Sequence, residues 1–359
     1  MRRARALVLV CALAAGAAGA FACGSTDPIN PVLAGAPADS GALDSGPREA
    51  GKGLRSGIVV RGPLVLSETG LYSDFDARVL APGVLEYAPR WPVWNDGAAQ
   101  RRWIQLPPGK KVDTSDMDQW TFPEGTKLWM ALEVDGVPVE TRFLWKRGTG
   151  WDHWWMAAYV WREDASDADF FEEGAKNVLG TTHDVPTQTQ CVQCHDGVVD
   201  VGVGFSALQL SAPKDSQLAR FSSMGMLAPP ATREYEPPGI GASRDALVAL
   251  HANCGNCHVE TSRLYWQQTR SSLHLRVGDT TVEQTGAYQA VGLKIRHIDD
   301  VYGLYFFYPG NPSLSQAWLR MNVRTLEWAM PPFDTKEIDI ASVSAVGHWI
   351  QGLPPMQDL

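Results

Sequence analysis

Positive charge is scarce in this chain, and long apolar runs are scarcer. Lys and Arg number 31 against 40 Asp and Glu, a net charge of −9. Three of the basic residues, Arg2, Arg3 and Arg5, crowd the extreme N-terminus ahead of an apolar run from Ala6 to Ala20. That run is too short for a comfortable transmembrane span. Ala20-Phe21-Ala22 then fits a small-x-small cleavage pattern directly before Cys23, so residues 1–22 read as an export signal. Its removal leaves 28 basic against 40 acidic residues, or −12, which argues against nucleic acid and against adhesion to anionic head groups. No other run is long and apolar enough to cross a bilayer. A nucleotide-binding glycine loop, a Ser nucleophile elbow, a paired-His zinc motif and a calcium loop are all missing, so no catalytic constellation stands out. There are no tandem short repeats.

Cysteine is also sparse, and its placement is informative. Of six Cys, Cys11 leaves with the signal. Four sit in two pentapeptides, Cys191-Val-Gln-Cys-His195 and Cys254-Gly-Asn-Cys-His258. Cys23 alone is left over, at the first position after the expected cut. An unpaired exposed thiol is a liability in an oxidising compartment, and lipidation after lipoprotein-type processing would account for it. Ala20 and Phe21 make a loose processing box, so a plain secreted form is the rival. The expected location is the periplasm or cell envelope, with an outer-membrane anchor and membrane contact only through a lipid on Cys23.

What the chain has in quantity is tryptophan: 14, with twelve between Trp91 and Trp318. Residues 23–57 are rich in Gly, Ala, Ser, Pro and Asp without a hydrophobic period and read as a flexible tether. Residues 58–185 carry β signals. Gln100–Leu106, Thr126–Val134, Val137–Lys146 and Trp151–Trp161 are runs of β-branched and aromatic residues, and Asp135-Gly136 between two of them is a strong hairpin signal. An antiparallel β sandwich or small barrel is expected there. After a segment at 186–240 holding the first pentapeptide, residues 241–359 turn helical. Ser243 can cap a helix carrying Leu247, Leu250 and Cys254. Asn311-Pro312-Ser313 starts another with Leu314, Trp318 and Met321 on one face. Ile340, Val343, Val346 and Ile350 mark a last helix ended by Gly352 and Pro354-Pro355. The class expected is α+β, a β domain followed by a mainly α-helical, cytochrome c-like domain.

The pentapeptides explain that last expectation. Two thiols three positions apart on a helical turn reach the two vinyl groups of one porphyrin, and the next residue offers an imidazole to the iron; this is the c-type haem attachment pattern. Cys191, Cys194, Cys254 and Cys257 are therefore expected to bind two haems covalently, with His195 and His258 as iron ligands. Zinc is the bland alternative, but the stretch from Cys194 to Cys254 is long for a zinc ribbon, and both pairs run directly into His. Disulfides within each pair would leave both histidines unexplained. Met330, followed by Pro331-Pro332 and well downstream of His258, is the expected distal ligand of the second haem. For the first haem the sequence leaves Met224, Met226, His153, His183 or an open position. His251, one turn before Cys254, is expected to pack beside the haem rather than bind it.

An ordered set of short motifs adds a resemblance. Ser67-Glu68-Thr69-Gly70-Leu71, Trp94-Asn95-Asp96-Gly97-Ala98, Phe122-Pro123-Glu124-Gly125-Thr126, Glu140-Thr141-Arg142 and Tyr159-Val160-Trp161 precede Cys191–His195. Gly204-Phe205 with Gln209-Leu210, Asn253–His258 and Met330-Pro331-Pro332 follow it. This order, over residues 60 to 355, resembles a largely uncharacterised family of exported bacterial di-haem proteins, some fused to sugar-dehydrogenase-like propellers. The resemblance implies electron transfer with a redox partner, a dehydrogenase or another cytochrome. Val259-Glu260-Thr261 departs from the Pro-Gly expected after the second motif. Two further functions compete: a di-haem peroxidase or oxidase working at an open first haem, and a binding module whose surface is Trp91, Trp94, Trp103 and Trp120.

Overall fold

The β signals resolve into one open six-stranded antiparallel sheet. In the computed structural model, which describes residues 62–149, 153–265, 271–295 and 305–356, ten strands and seven helices follow in order. The strands are β1 (Tyr72–Asp74), β2 (Val79–Leu80), β3 (Val84–Tyr87), β4 (Ala99–Gln105), β5 (Val112–Asp113), β6 (Lys127–Val134), β7 (Val137–Lys146), β8 (Trp154–Trp161), β9 (Ala168–Phe170) and β10 (Leu227–Ala228). The helices are α1 (Gln188–His195), α2 (Ala207–Leu210), α3 (Gln217–Ser223), α4 (Ala242–Asn253), α5 (Gly286–Gln289), α6 (Gln316–Met321) and α7 (Ile340–Gln351). The large sheet has the order β3-β4-β6-β7-β8-β9; β1 pairs with β2, and β10 pairs in parallel with β5. The expected signal, Cys23 and the tether lie outside the described residues, as does Trp151. No helix among the described residues is long and apolar enough to cross a membrane.

The hairpin forms at the expected place. Asp135 and Gly136 have φ of 51° and 82°, the left-handed pair that a two-residue turn matched to strand twist requires, and they set β6 against β7 with Leu128 opposite Leu144 and Met130 opposite Arg142.

The expected sandwich is replaced by a three-layer arrangement in which this sheet is the middle layer. On one face Trp103, Trp129, Phe143, Tyr159 and Trp161 pack with Leu66 and Leu71 of the preceding segment. Trp129 Nε1 donates to Thr69 Oγ1 at 3.0 Å, and Tyr159 Oη to the Pro63 carbonyl at 2.9 Å. On the other face Ile104, Leu128 and Met156 join a larger core with Leu210, Phe221, Leu247, Leu250, Val346 and Ile350. Strands buried on both faces read as continuous apolar runs, which is what Trp154–Trp161 is. Residues 60–359 form one compact unit, and the larger core draws on all three segments expected from the sequence.

Asp200 ties the layers together. Its carboxylate accepts from Lys146 Nζ at 2.6 Å, Trp154 Nε1 at 2.8 Å and the Phe122 amide at 2.6 Å, all buried. Among the helices, α4 packs on α7. The cap of α4 is Gly241 at φ 51° rather than Ser243, whose hydroxyl instead bonds back to Ile240. Asn311 caps a short 3-10 turn before α6, and Asp339 caps α7 through the Ser342 amide at 3.0 Å. Ile340 is exposed at the start of α7, so the buried face begins at Val343.

Candidate functional site

The first pentapeptide closes a short, firmly capped helix. Thr187 Oγ1 accepts from the Gln190 amide at 3.2 Å while Gln190 Oε1 accepts from the Thr187 amide at 2.8 Å, a reciprocal cap that starts α1 shortly after Pro186. Cys191 and Cys194, three apart, share a helix side, and His195 is the last helical residue. Its Nδ1 sits 2.6 Å from the Val201 carbonyl. A carbonyl can only accept, so Nδ1 carries the proton and Nε2 keeps its lone pair. Burial, with the charges of Arg142 and Arg102 adding to it, pushes the His195 pKa down to about 4. The imidazole is therefore neutral and pre-oriented, the state and the outer hydrogen bond that a metal-binding histidine needs.

The second pentapeptide begins where α4 ends. Leu247 and Leu250 bury one face of that helix, and Cys254 terminates it. The chain then turns, with the Cys257 and His258 amides both donating to the Cys254 carbonyl at 3.1 and 2.8 Å. Burial, then Arg320, pushes His258 down to about 4 as well, and its Nδ1 is buried without a partner. All four motif cysteines are free thiols. Burial pushes Cys191 up to about 11, and burial followed by the neighbouring Cys257 pushes Cys254 to about 12, so both stand as protonated thiols.

The two motifs adjoin, although a long stretch of chain lies between them. Cys257 Sγ is 3.7 Å from the Cys194 carbonyl oxygen, and the Cys257 thiol beside Cys194, together with burial, pushes the Cys194 thiol well up. Gly197 lies directly against the second motif: a Cβ there would come 1.9 Å from the Asn256 carbonyl oxygen. Thr261 Oγ1 donates to the Gly197 carbonyl at the short end of hydrogen-bond range. One cavity of about 450 Å³ is lined by Cys194, His195, Cys254, Cys257, His258 and Met330, a size usual for cofactor sites of roughly 300–1,000 Å³. Met330 is held by its backbone. Its amide donates to the Arg320 carbonyl at 2.9 Å, and Arg324 donates to the Met330 carbonyl, to the Pro331 carbonyl at 3.0 Å and to Thr335 Oγ1 at 2.7 Å.

Four other sequence candidates lie elsewhere. Met224 is half exposed, Met226 packs against the helical core, His153 is exposed, and His183 is buried with Nε2 2.8 Å from Glu140 Oε2. None of them lines the cavity. His251 is buried, its Nδ1 accepting from the Leu275 amide at 3.1 Å and its ring 4.6 Å from that of His274. Among the described residues no three His, Cys, Asp or Glu side chains converge as a metal-ion cage. Trp103 and Trp120 are core residues, and Trp91 and Trp94 are partly buried, so the four form no exposed row.

Several cavity residues are ones that sequence reasoning did not single out, among them Arg102, Met130 and Asp334, and Arg142 entered only as part of the Glu140-Thr141-Arg142 motif. Arg142 pairs with Glu140 at 2.7 Å and Asp334 at 2.5 Å. Burial would raise Glu140, but Arg142 and His183 overcome it and hold the carboxyl below its ordinary value. Asp334 is pushed up to about 6 by burial and Glu140, against the pull of Arg142. Arg102 is buried, its Nε lacks any partner, and no carboxylate among the described residues pairs with it. The available signal was a cation recurring at inward-facing strand positions, since Arg102 is in phase with Ile104, and Arg142 with Leu144. No family model matches this chain, and neither a curated protein nor a solved structure does.

Proposed function

We propose that this chain is an exported di-haem c-type cytochrome that transfers electrons, with Cys191, Cys194 and His195 holding one haem and Cys254, Cys257 and His258 the other. The observation that carries the reading is the convergence of Cys194, His195, Cys254, Cys257, His258 and Met330 on one cavity, with Cys191 packed against the adjoining core. The donor set fits the group. Each motif pairs two thiols with a neutral imidazole, and the His195 ring already has its outer nitrogen engaged and Nε2 left for iron. Arg102 fits as well: a buried cation without a carboxylate partner costs several kcal/mol, and a haem carries two carboxylates.

Bound haem supplies a one-electron iron couple. The chain's residues do the rest. Cys191, Cys194, Cys254 and Cys257 would hold the haems as thioethers, an addition of S–H across a vinyl group that needs no oxidant. His195 and His258 donate imidazole lone pairs. Met330 offers a thioether, which raises the potential relative to a second histidine. Haems held at the adjoining Cys194 and Cys257 would be neighbours, an arrangement suited to a relay between two partner proteins. The helical half, with α4 leading into a haem motif and Met330 preceding α7, has the element order of a small cytochrome c domain. We place the protein in the periplasm or cell envelope, anchored through lipidated Cys23, with a dehydrogenase or another cytochrome as redox partner. Acidity on the mature chain suits a basic partner.

An enzyme reading, peroxidase or oxidase, draws on the absence of Met224, Met226, His153 and His183 from the cavity lining, which leaves the far side of the first haem without its expected ligands. The binding-module reading loses its basis with the burial of Trp103 and Trp120. A redox titration with absorption and EPR, beside Met330→Ala, tests the proposal. The wild type is expected to titrate as two one-electron centres without peroxide turnover, and the variant to lose the methionine–iron band of one centre while the other is unchanged. Spectra identical for variant and wild type would remove Met330 from the iron.

A further inference from the structure

Two histidines line the cavity, and so do two methionines: Met330, and Met130, which also packs beside Leu132 and Ala158. Met130 stands in the middle of the sheet, in a cross-strand row set by the register Tyr87–Arg102–Met130–Arg142–Ala158. Side chains alternate along a strand. Its strand neighbour Trp129 packs in the core on the far face, and Leu128, in phase with Met130, packs in the core shared with the helices. Met130 therefore points to the helical side, where the pentapeptides lie.

Shared neighbours divide the four donors into two sets. Met330 donates its amide to the Arg320 carbonyl of α6, and α6 packs on α7, which packs on the α4 helix that leads into Cys254–His258. Met330 and His258 thus belong together. Arg102 and Arg142 flank Met130 on the strands to either side. The segment that orients His195 also lies over Arg102. Val201 binds the imidazole, the Val203 carbonyl is 3.5 Å from Arg102 Nη1, and a Cβ on Gly204 would come 2.5 Å from that same nitrogen. His195 and the Arg102–Met130–Arg142 row hence face one volume.

We propose that Met130 is the distal ligand of the iron held by His195, so that both haems are His/Met centres. This rests on the di-haem reading above and deepens it. A thioether is a soft, polarizable donor on a flexible stem, and His/Met ligation is that of electron-transfer cytochromes. The sheet, which carries no attachment cysteine, supplies the far side of the first haem, and the open coordination position that peroxidase chemistry needs is closed.

The test begins with the wild-type holoprotein. Proton NMR of the fully reduced, diamagnetic state is expected to show two methionine ε-methyl resonances shifted far upfield by porphyrin ring currents. Met130→Leu is expected to remove one of them and Met330→Leu the other. In the ferric state Met130→Ala is expected to halve the methionine–iron band and convert one low-spin EPR signal to high-spin. Met130→His, which restores a sixth ligand, is expected to return that signal to low-spin with a lowered potential. A single upfield methyl in the wild type, or two that persist in Met130→Leu, would overturn the proposal. A wild type without bound haem would overturn the reading beneath it instead, and haem content by pyridine haemochrome separates the two failures.

Discussion

Burial pushes His274 down to about pKa 4 and, with the neighbouring His274, holds His251 well below its ordinary value. An unfolded imidazole titrates near 6.5, so the native state binds fewer protons than the unfolded chain between these values. The stability these groups contribute is present above about pH 6.5 and is lost as pH falls through about 4. Asp334 works the other way. Raised to about 6, it stabilises below the unfolded carboxyl value and loses that contribution as pH rises through 6. Two imidazoles outweigh one carboxyl, so the urea midpoint is expected to fall steadily from pH 6.5 to pH 4. His274→Gln is expected to remove up to about 3 kcal/mol of that dependence, the difference between about 6.5 and about 4 taken at about 1.36 kcal/mol per pH unit. A midpoint flat across this range would contradict the buried, neutral imidazoles. At this scale the sequence was legible where chemistry is local. Two thiols and a histidine within one pentapeptide make a pattern that is read from a few residues. Met130 does not, because its meaning comes from Arg102 and Arg142 on other strands, and only the pairing register brings those three together.

Elements were legible in proportion to how local their signals are. The Asp135-Gly136 turn and the apolar phase of α7 are read off a few residues, and both form as expected. Ser243 failed as the cap of α4 because Gly241 reaches a φ of 51° two positions earlier. The sandwich expectation failed for a different reason. Alternating aromatics announce a buried face but not what covers it, and here the cover is a helical layer built from residues far downstream. Asp200 is the joint between those layers. Removing its carboxylate leaves Lys146 as a buried, unpaired cation and strips partners from Trp154 and Phe122. Asp200→Ala is therefore expected to destabilise the protein by about 3–5 kcal/mol, read as a shift in chemical denaturation. A loss under about 1 kcal/mol, the scale of a surface ion pair, would show that the sheet and helical layers are held together without it.

At the scale of the whole molecule, a sheet buried on both faces brings two short motifs to one cavity and backs them with a row of cations and a thioether. Both attachment motifs are legible in the sequence but their adjacency is not, because the long intervening chain hides the contact between Gly197 and Asn256. That adjacency makes one body of what the sequence presents as two attachment sites in series. Two covalent haems per chain is the central claim. Its most direct measurement is the intact mass of the protein, made in a periplasm with c-type haem maturation and followed by peptide mapping. The expected result is a mass increase of two haems, one on the peptide bearing Cys191 and Cys194 and one on that bearing Cys254 and Cys257, with Cys191→Ala/Cys194→Ala retaining only the second. A wild type at its unmodified mass, with all four of those cysteines open to alkylation, would contradict the account.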